Sequence, residues 1–128
     1  MKLLHFVALI FSMALGTSLA RADHHDESLF RHAVFFKFND TATDNDIQRI
    51  VDEFMMLKEK IDTIVRIEWG LSESVEGLND AFTHCFFVTF KDLAGLEAYI
   101  PHPAHEAFVS ILKPHLDKVF VFDYTPRD

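Results

Sequence analysis

Apolar residues along this chain follow two rhythms. From Phe30 to Phe38 they are aromatic or β-branched almost throughout and stop at Asn39-Asp40, which predicts a strand followed by a turn. The spacing then changes. Ile47, Ile50, Val51, Phe54, Leu57 and Ile61 recur every three or four positions, the mark of an amphipathic helix, with Thr43 placed to cap it and Asp44 and Asp46 in its first turn. Val65, Ile67, Trp69 and Leu71 next alternate with Arg66, Glu68 and Gly70, which predicts a second strand with one wet face. A loop holding Gly77 and Asn79-Asp80 leads to a third strand, Phe82 to Phe90. Asp92 can cap a short helix that turns Leu93, Leu96 and Tyr99 toward the core. Pro101 breaks it, and because a proline ring crowds helical backbone in the preceding residue, Ile100 is expected to be extended. Pro103 suits the first position of a fresh helix capped by His102, running through Phe108, Ile111 and Leu112 toward Leu116. Lys118 to Thr125 is the last strand, closed by Pro126.

The order β-α-β-β-α-β predicts an α+β fold, one mainly antiparallel sheet with helices on a single face. In this plan the first and third strands are read as parallel central neighbours. The first strand is apolar on both parities, Val34, Phe36 and Phe38 against Ala33 and Phe35, and so is the last, Val119 and Val121 against Phe120, Phe122 and Tyr124. Something beyond the chain's own helices must cover the second face. A second copy would do so, giving a barrel-like homodimer; the alternative is a monomer with an unusually apolar surface.

The first 22 residues change which part of the chain folds. Lys2, an apolar run from Leu3 to Leu15, and the small-residue end Ala20-Arg21-Ala22 have the order of a secretory signal, so a secreted or periplasmic protein is expected, with an uncleaved anchor as the alternative. Residues 23–29 are then a polar leader and 30–128 one domain, too short for two. Loss of Lys2 and Arg21 makes a chain of formal charge −8 still more acidic, which argues against nucleic acid as a partner. No apolar stretch of the mature chain is long enough to span a bilayer, so no membrane partner is expected after cleavage. Cys85 is the only cysteine, so no internal disulfide can staple the domain; packing by the 14 phenylalanines must serve instead. Cleavage after Ala22 would expose Asp23-His24-His25, where a free amino terminus with histidine third in line chelates Cu(II) or Ni(II); a leader that merely contains histidines is the alternative. No other cofactor is expected.

Arg31-His32-Ala33-Val34-Phe35-Phe36-Lys37-Phe38 resembles the opening strand of the stress-responsive A/B barrel (Dabb) family. Tyr99-Ile100-Pro101-His102-Pro103-Ala104-His105-Glu106-Ala107-Phe108 resembles its Tyr-x-x-His-Pro-x-His-x-x-Phe segment, and Phe120-Val121-Phe122-Asp123-Tyr124 its closing strand. The likeness implies a ferredoxin-like fold and a dimeric α+β barrel. In a plant polyketide cyclase of the family a histidine is the general base and a tyrosine assists an aldol condensation; the motif carries those roles onto His105 and Tyr99. His32 and His84 match histidines of that cyclase's pocket, whereas Asp40 to Ala81 shows little likeness to it.

Read by themselves, the same residues leave choices open. His105 falls near the third position of its helix, where the positive end of the dipole favours a neutral imidazole; it is either a general base or a group that bonds local backbone. His32 and His84 share the parities of Phe36 and Phe86 and form either a mutually satisfied core pair or the floor of a pocket edged by His102, His105 and Tyr99 and walled by Phe36, Phe86 and Phe108. Tyr99 is either a donor to a developing enolate or a core tyrosine. Cys85, of opposite parity, reads as a small hydrophobe, and Trp69 as core. Three functions follow: a barrel dimer binding a small apolar or aromatic ligand, a cofactor-free cyclase-like or monooxygenase-like enzyme using His105, and a structural oligomer with a filled core. A cavity reaching His105 and Tyr99 separates the first two from the third.

Overall fold

The computed structural model describes residues 29–128, so the expected signal segment 1–22 and the leader histidines His24 and His25 lie outside the described residues. Within them the elements run β1 (Phe30–Phe38), α1 (Asp44–Lys60), β2 (Ile64–Leu71), β3 (His84–Phe90), α2 (Leu93–Tyr99), α3 (Pro103–Leu112), a 3-10 turn (Lys113–His115) and β4 (Leu116–Tyr124). Helix α1 begins in a reciprocal capping box: the Asp46 N–H donates to Thr43 Oγ1 at 3.1 Å and the Thr43 N–H donates to the Asp46 carboxylate at 2.9 Å. Its apolar stripe packs Ile50, Val51, Phe54 and Leu57 onto the sheet.

The sheet order is β2-β3-β1-β4, and each neighbouring pair is antiparallel. This corrects the expectation that β1 and β3 run parallel. The α1 crossover returns the chain so that β2 runs with β1, and the β2–β3 hairpin then reverses β3 against both. His32 therefore pairs with Val88, while His84 pairs with Phe36, placing the two imidazoles far apart along the strands and excluding a core pair. Other differences are local. A bulge between Ile64 and Arg66 shifts the alternation of β2, so Ile64 is buried and Val65 is exposed. Leu93 is exposed at the first turn of α2, whereas Leu96 and Tyr99 are buried.

Ile100 is helical (φ −56°, ψ −50°) rather than extended. Its N–H donates to the Leu96 carbonyl at 3.0 Å and the His102 N–H donates to the Tyr99 carbonyl at 3.1 Å, so the turn closes around Pro101 and overrides the proline's preference. Pro103 then opens α3 as expected, with His102 extended at the cap.

One core joins the helix-facing residues of the sheet, Phe36, Phe86, Val88 and Phe90, to α1, α2 and α3. Phe54 lies at its centre, stacked on Phe86 (centroids 4.2 Å, planes 3° apart) and tilted against Phe108 at 4.7 Å. Among the described residues no helix lies on the opposite sheet face. There Cys85, Phe35 and Phe120 form one cross-strand row and Phe87, Ala33 and Phe122 the next, with Phe120 and Phe122 half-exposed.

Candidate functional site

The geometry at Pro101 builds the site. In an unbroken helix the Ile100 carbonyl would receive the N–H of Ala104; here that N–H donates to His102 Nδ1 at 3.0 Å. The Ile100 carbonyl is left free and instead meets His105 Nδ1 at 2.8 Å. A carbonyl can only accept, so Nδ1 carries the proton and Nε2 keeps its lone pair. Burial, outweighing the bond to Ile100, pushes the His105 imidazole below its ordinary value, which keeps it neutral near pH 7.

Tyr99 packs against His105 with ring centroids 4.3 Å apart. It is almost fully buried, and burial raises its phenol well above the usual range, so it remains an O–H donor at any ordinary pH. On its other side His32 meets Tyr99 edge-on at 5.8 Å, and His32 Nδ1 bonds the Asp123 carboxylate at 2.5 Å. A carboxylate at this distance holds the ring's orientation.

These four polar residues edge a cavity of about 400 Å³ between the sheet and α3, walled by Phe36, Phe54, Phe108, Val109, Val119 and Val121 among others. Its size and apolar walls with a few convergent polar groups are those of a small-molecule site. A neutral base and a permanent donor side by side can take a proton from carbon and hold the oxygen on which charge collects.

Of the residues singled out from sequence, the structure brings together His32, Tyr99, His105, Phe36 and Phe108. It places the others elsewhere. Phe86 is in the core beneath Phe54. The Nδ1 of His102 is engaged in capping α3. His84 stacks on Trp69 (6.0 Å, 7°) toward the other end of β3, its Nδ1 2.7 Å from Thr83 Oγ1. Cys85 is half-buried on the outer sheet face. Among the described residues no group of three or more His, Cys, Asp or Glu is disposed to hold a metal ion. Asp123 was not anticipated. Its signal was an acid at the parity of Val119 and Val121, directly after the apolar run Val119 to Phe122.

A family model described as Stress responsive A/B Barrel Domain matches residues 30–126. Olivetolic acid cyclase from Cannabis sativa is 29% identical over 97 residues, 76% of this chain and 96% of that protein. The crystal structure of At3g17210 from Arabidopsis thaliana superposes with a TM-score of 0.74 at 32% identity, covering 77% of this chain and 96% of that one. A dimeric protein of unknown function with a ferredoxin-like fold, from Bacteroides fragilis, superposes with a TM-score of 0.62 at 24% identity over 77% of this chain and 96% of that one.

Proposed function

That the chain belongs to the stress-responsive A/B barrel domain family is the premise from which we propose its function: a homodimer that binds a small apolar or aromatic carbonyl compound in the cavity between sheet and α3. The observation that carries the reading is the bond from His105 Nδ1 to the Ile100 carbonyl, which leaves a neutral Nε2 beside the Tyr99 ring in an apolar enclosure. Exposed Phe120 and Phe122, with Phe35, Phe87 and Ala33 beside them, support the dimer, since a patch of this kind in water favours a cover of the same kind. Light scattering at micromolar concentration is expected to give a two-chain mass; a single-chain mass removes the dimer from the reading.

The same geometry favours base catalysis over binding alone. His105 Nε2 takes a proton from the carbon next to the ligand's carbonyl, the C–H electron pair becomes the enolate, and the Tyr99 hydroxyl donates to the enolate oxygen. His105 becomes imidazolium and returns the proton when the enolate is quenched. Such an enolate can attack a second carbonyl, the step by which the fold would serve a cyclase-like reaction. Phenylacetone in deuterium oxide tests this without knowledge of the natural ligand: the protein is expected to speed deuterium entry beside the carbonyl, read by proton NMR. Exchange no faster than buffer containing free imidazole would reject the base.

A further inference from the structure

The proton transfer outlined above uses His105 and Tyr99 and leaves His32 and Asp123 without a task. His32 on β1 and Asp123 on β4 are direct cross-strand partners, so the sheet register itself sets the imidazole Nδ1 against the carboxylate at 2.5 Å. A carboxylate can only accept, so Nδ1 carries the proton and Nε2 is the nitrogen left for a ligand. His32 is 8% exposed, yet it and Asp123 line the same cavity as His105. Holding a ring in place needs no more than a carbonyl, which is what His105 has. A carboxylate adds a counter-charge for a ring that carries protons on both nitrogens.

The two histidines are thus set up differently around one tyrosine. Both pack on the Tyr99 ring, His105 at 4.3 Å and His32 edge-on at 5.8 Å. Burial first, and charge on His32 as well, lower the His105 imidazole against the bond to Ile100. Two acid–base groups whose surroundings favour opposite proton states suit a reaction that takes a proton at one atom and delivers one at another. A saturated ketone gives that pair a single carbon to work on. A ketone with an alkene one carbon further away gives it two, because the enolate then spreads its charge to the far end of the alkene.

We propose that this site isomerises apolar β,γ-unsaturated ketones to their conjugated forms, with His105 taking one proton and His32, held by Asp123, delivering another. The proposal rests on the reading of His105 as a base. His105 Nε2 removes a proton from the carbon between carbonyl and alkene, and the C–H electron pair forms a dienolate whose oxygen accepts from the Tyr99 hydroxyl. The oxygen's electrons then restore the carbonyl, the double bond moves next to it, and the γ-carbon takes the Nε2 proton of His32. One C–H bond breaks and one forms, so nothing else is consumed. His105 ends protonated and His32 neutral, and exchange with water resets them. Phe36, Phe54 and Phe108 supply the apolar walls for the hydrocarbon part.

The probe is 1-phenylbut-3-en-1-one, mixed with the full chain in deuterium oxide. Conjugated ketone is read by ultraviolet absorbance, and deuterium at the α-carbon of recovered ketone by proton NMR. The wild type is expected to form conjugated ketone faster than buffer containing free imidazole. His32→Asn and Asp123→Asn are each expected to lower the ratio of conjugation to α-exchange by about 10²-fold, within the contribution of a positioned acid. A merely structural role would slow both reactions together and leave the ratio where it was. Asp123 is the more exposed of the two side chains, so its variant decides the matter where exchange of the buried His32 unfolds the chain. Deuterium entry without conjugation in the wild type overturns the proposal and leaves His105 as the base, whereas the absence of both reactions removes the base as well. A ratio unchanged in the folded variants also overturns it, because His105 then moves both protons.

Discussion

Phe54→Ala is expected to lower folding stability by about 3–5 kcal/mol, the range for removing a buried aromatic ring. Phe54 is 2% exposed, stacks on Phe86 and touches Phe108, so its loss separates α1 from both the sheet and α3. It also forms part of the cavity wall, so the vacated volume joins space that is already open and cannot be closed by a small shift of neighbours. A loss of that size is a large share of the ~5–15 kcal/mol that holds a domain folded. Urea unfolding of the full chain measures it. A loss below about 1.5 kcal/mol, the cost of a well-tolerated core exchange, would contradict the packing described.

His105→Ala is expected to lower the rate of deuterium entry into phenylacetone by about 10²–10⁴, the usual contribution of a positioned general base. The urea midpoint should move little, because His105 is only half-buried and the Ile100 carbonyl it leaves lies at the exposed break between α2 and α3. Tyr99→Phe keeps the ring packing and removes the hydroxyl alone; a slowing of about 10²–10³ is expected if that hydroxyl holds the enolate oxygen. Equal rates in wild type and His105→Ala would move the proton transfer to another group, with the Asp123–His32 pair next in line.

Much of this fold could be read from neighbouring residues. The Thr43 box, the apolar stripe of α1 and the start of α3 at Pro103 each depend on a few adjacent positions, and each appears where expected. The direction of β3 against β1 depends on the path of the chain; counting one crossover and one hairpin decides it, and that count separates His32 from His84. The shape of Ile100 was not legible, because two backbone bonds across the break outweigh a local preference. That residue frees the carbonyl which fixes the His105 tautomer, so the motif suggested a base while only the fold supplies its orientation. Asp123 was visible by parity, yet its bond to His32 joins residues 91 positions apart, beyond the reach of any local pattern.

The most direct measurement is nitrogen NMR of the histidine side chains in the full ¹⁵N-labelled chain, followed from pH 8 downward. At pH 7 His105 is expected to show a protonated Nδ1 and a bare Nε2, and to take up its second proton below the ordinary imidazole value, as burial requires. A proton on Nε2 at pH 7, whether alone or with one on Nδ1, would contradict the account.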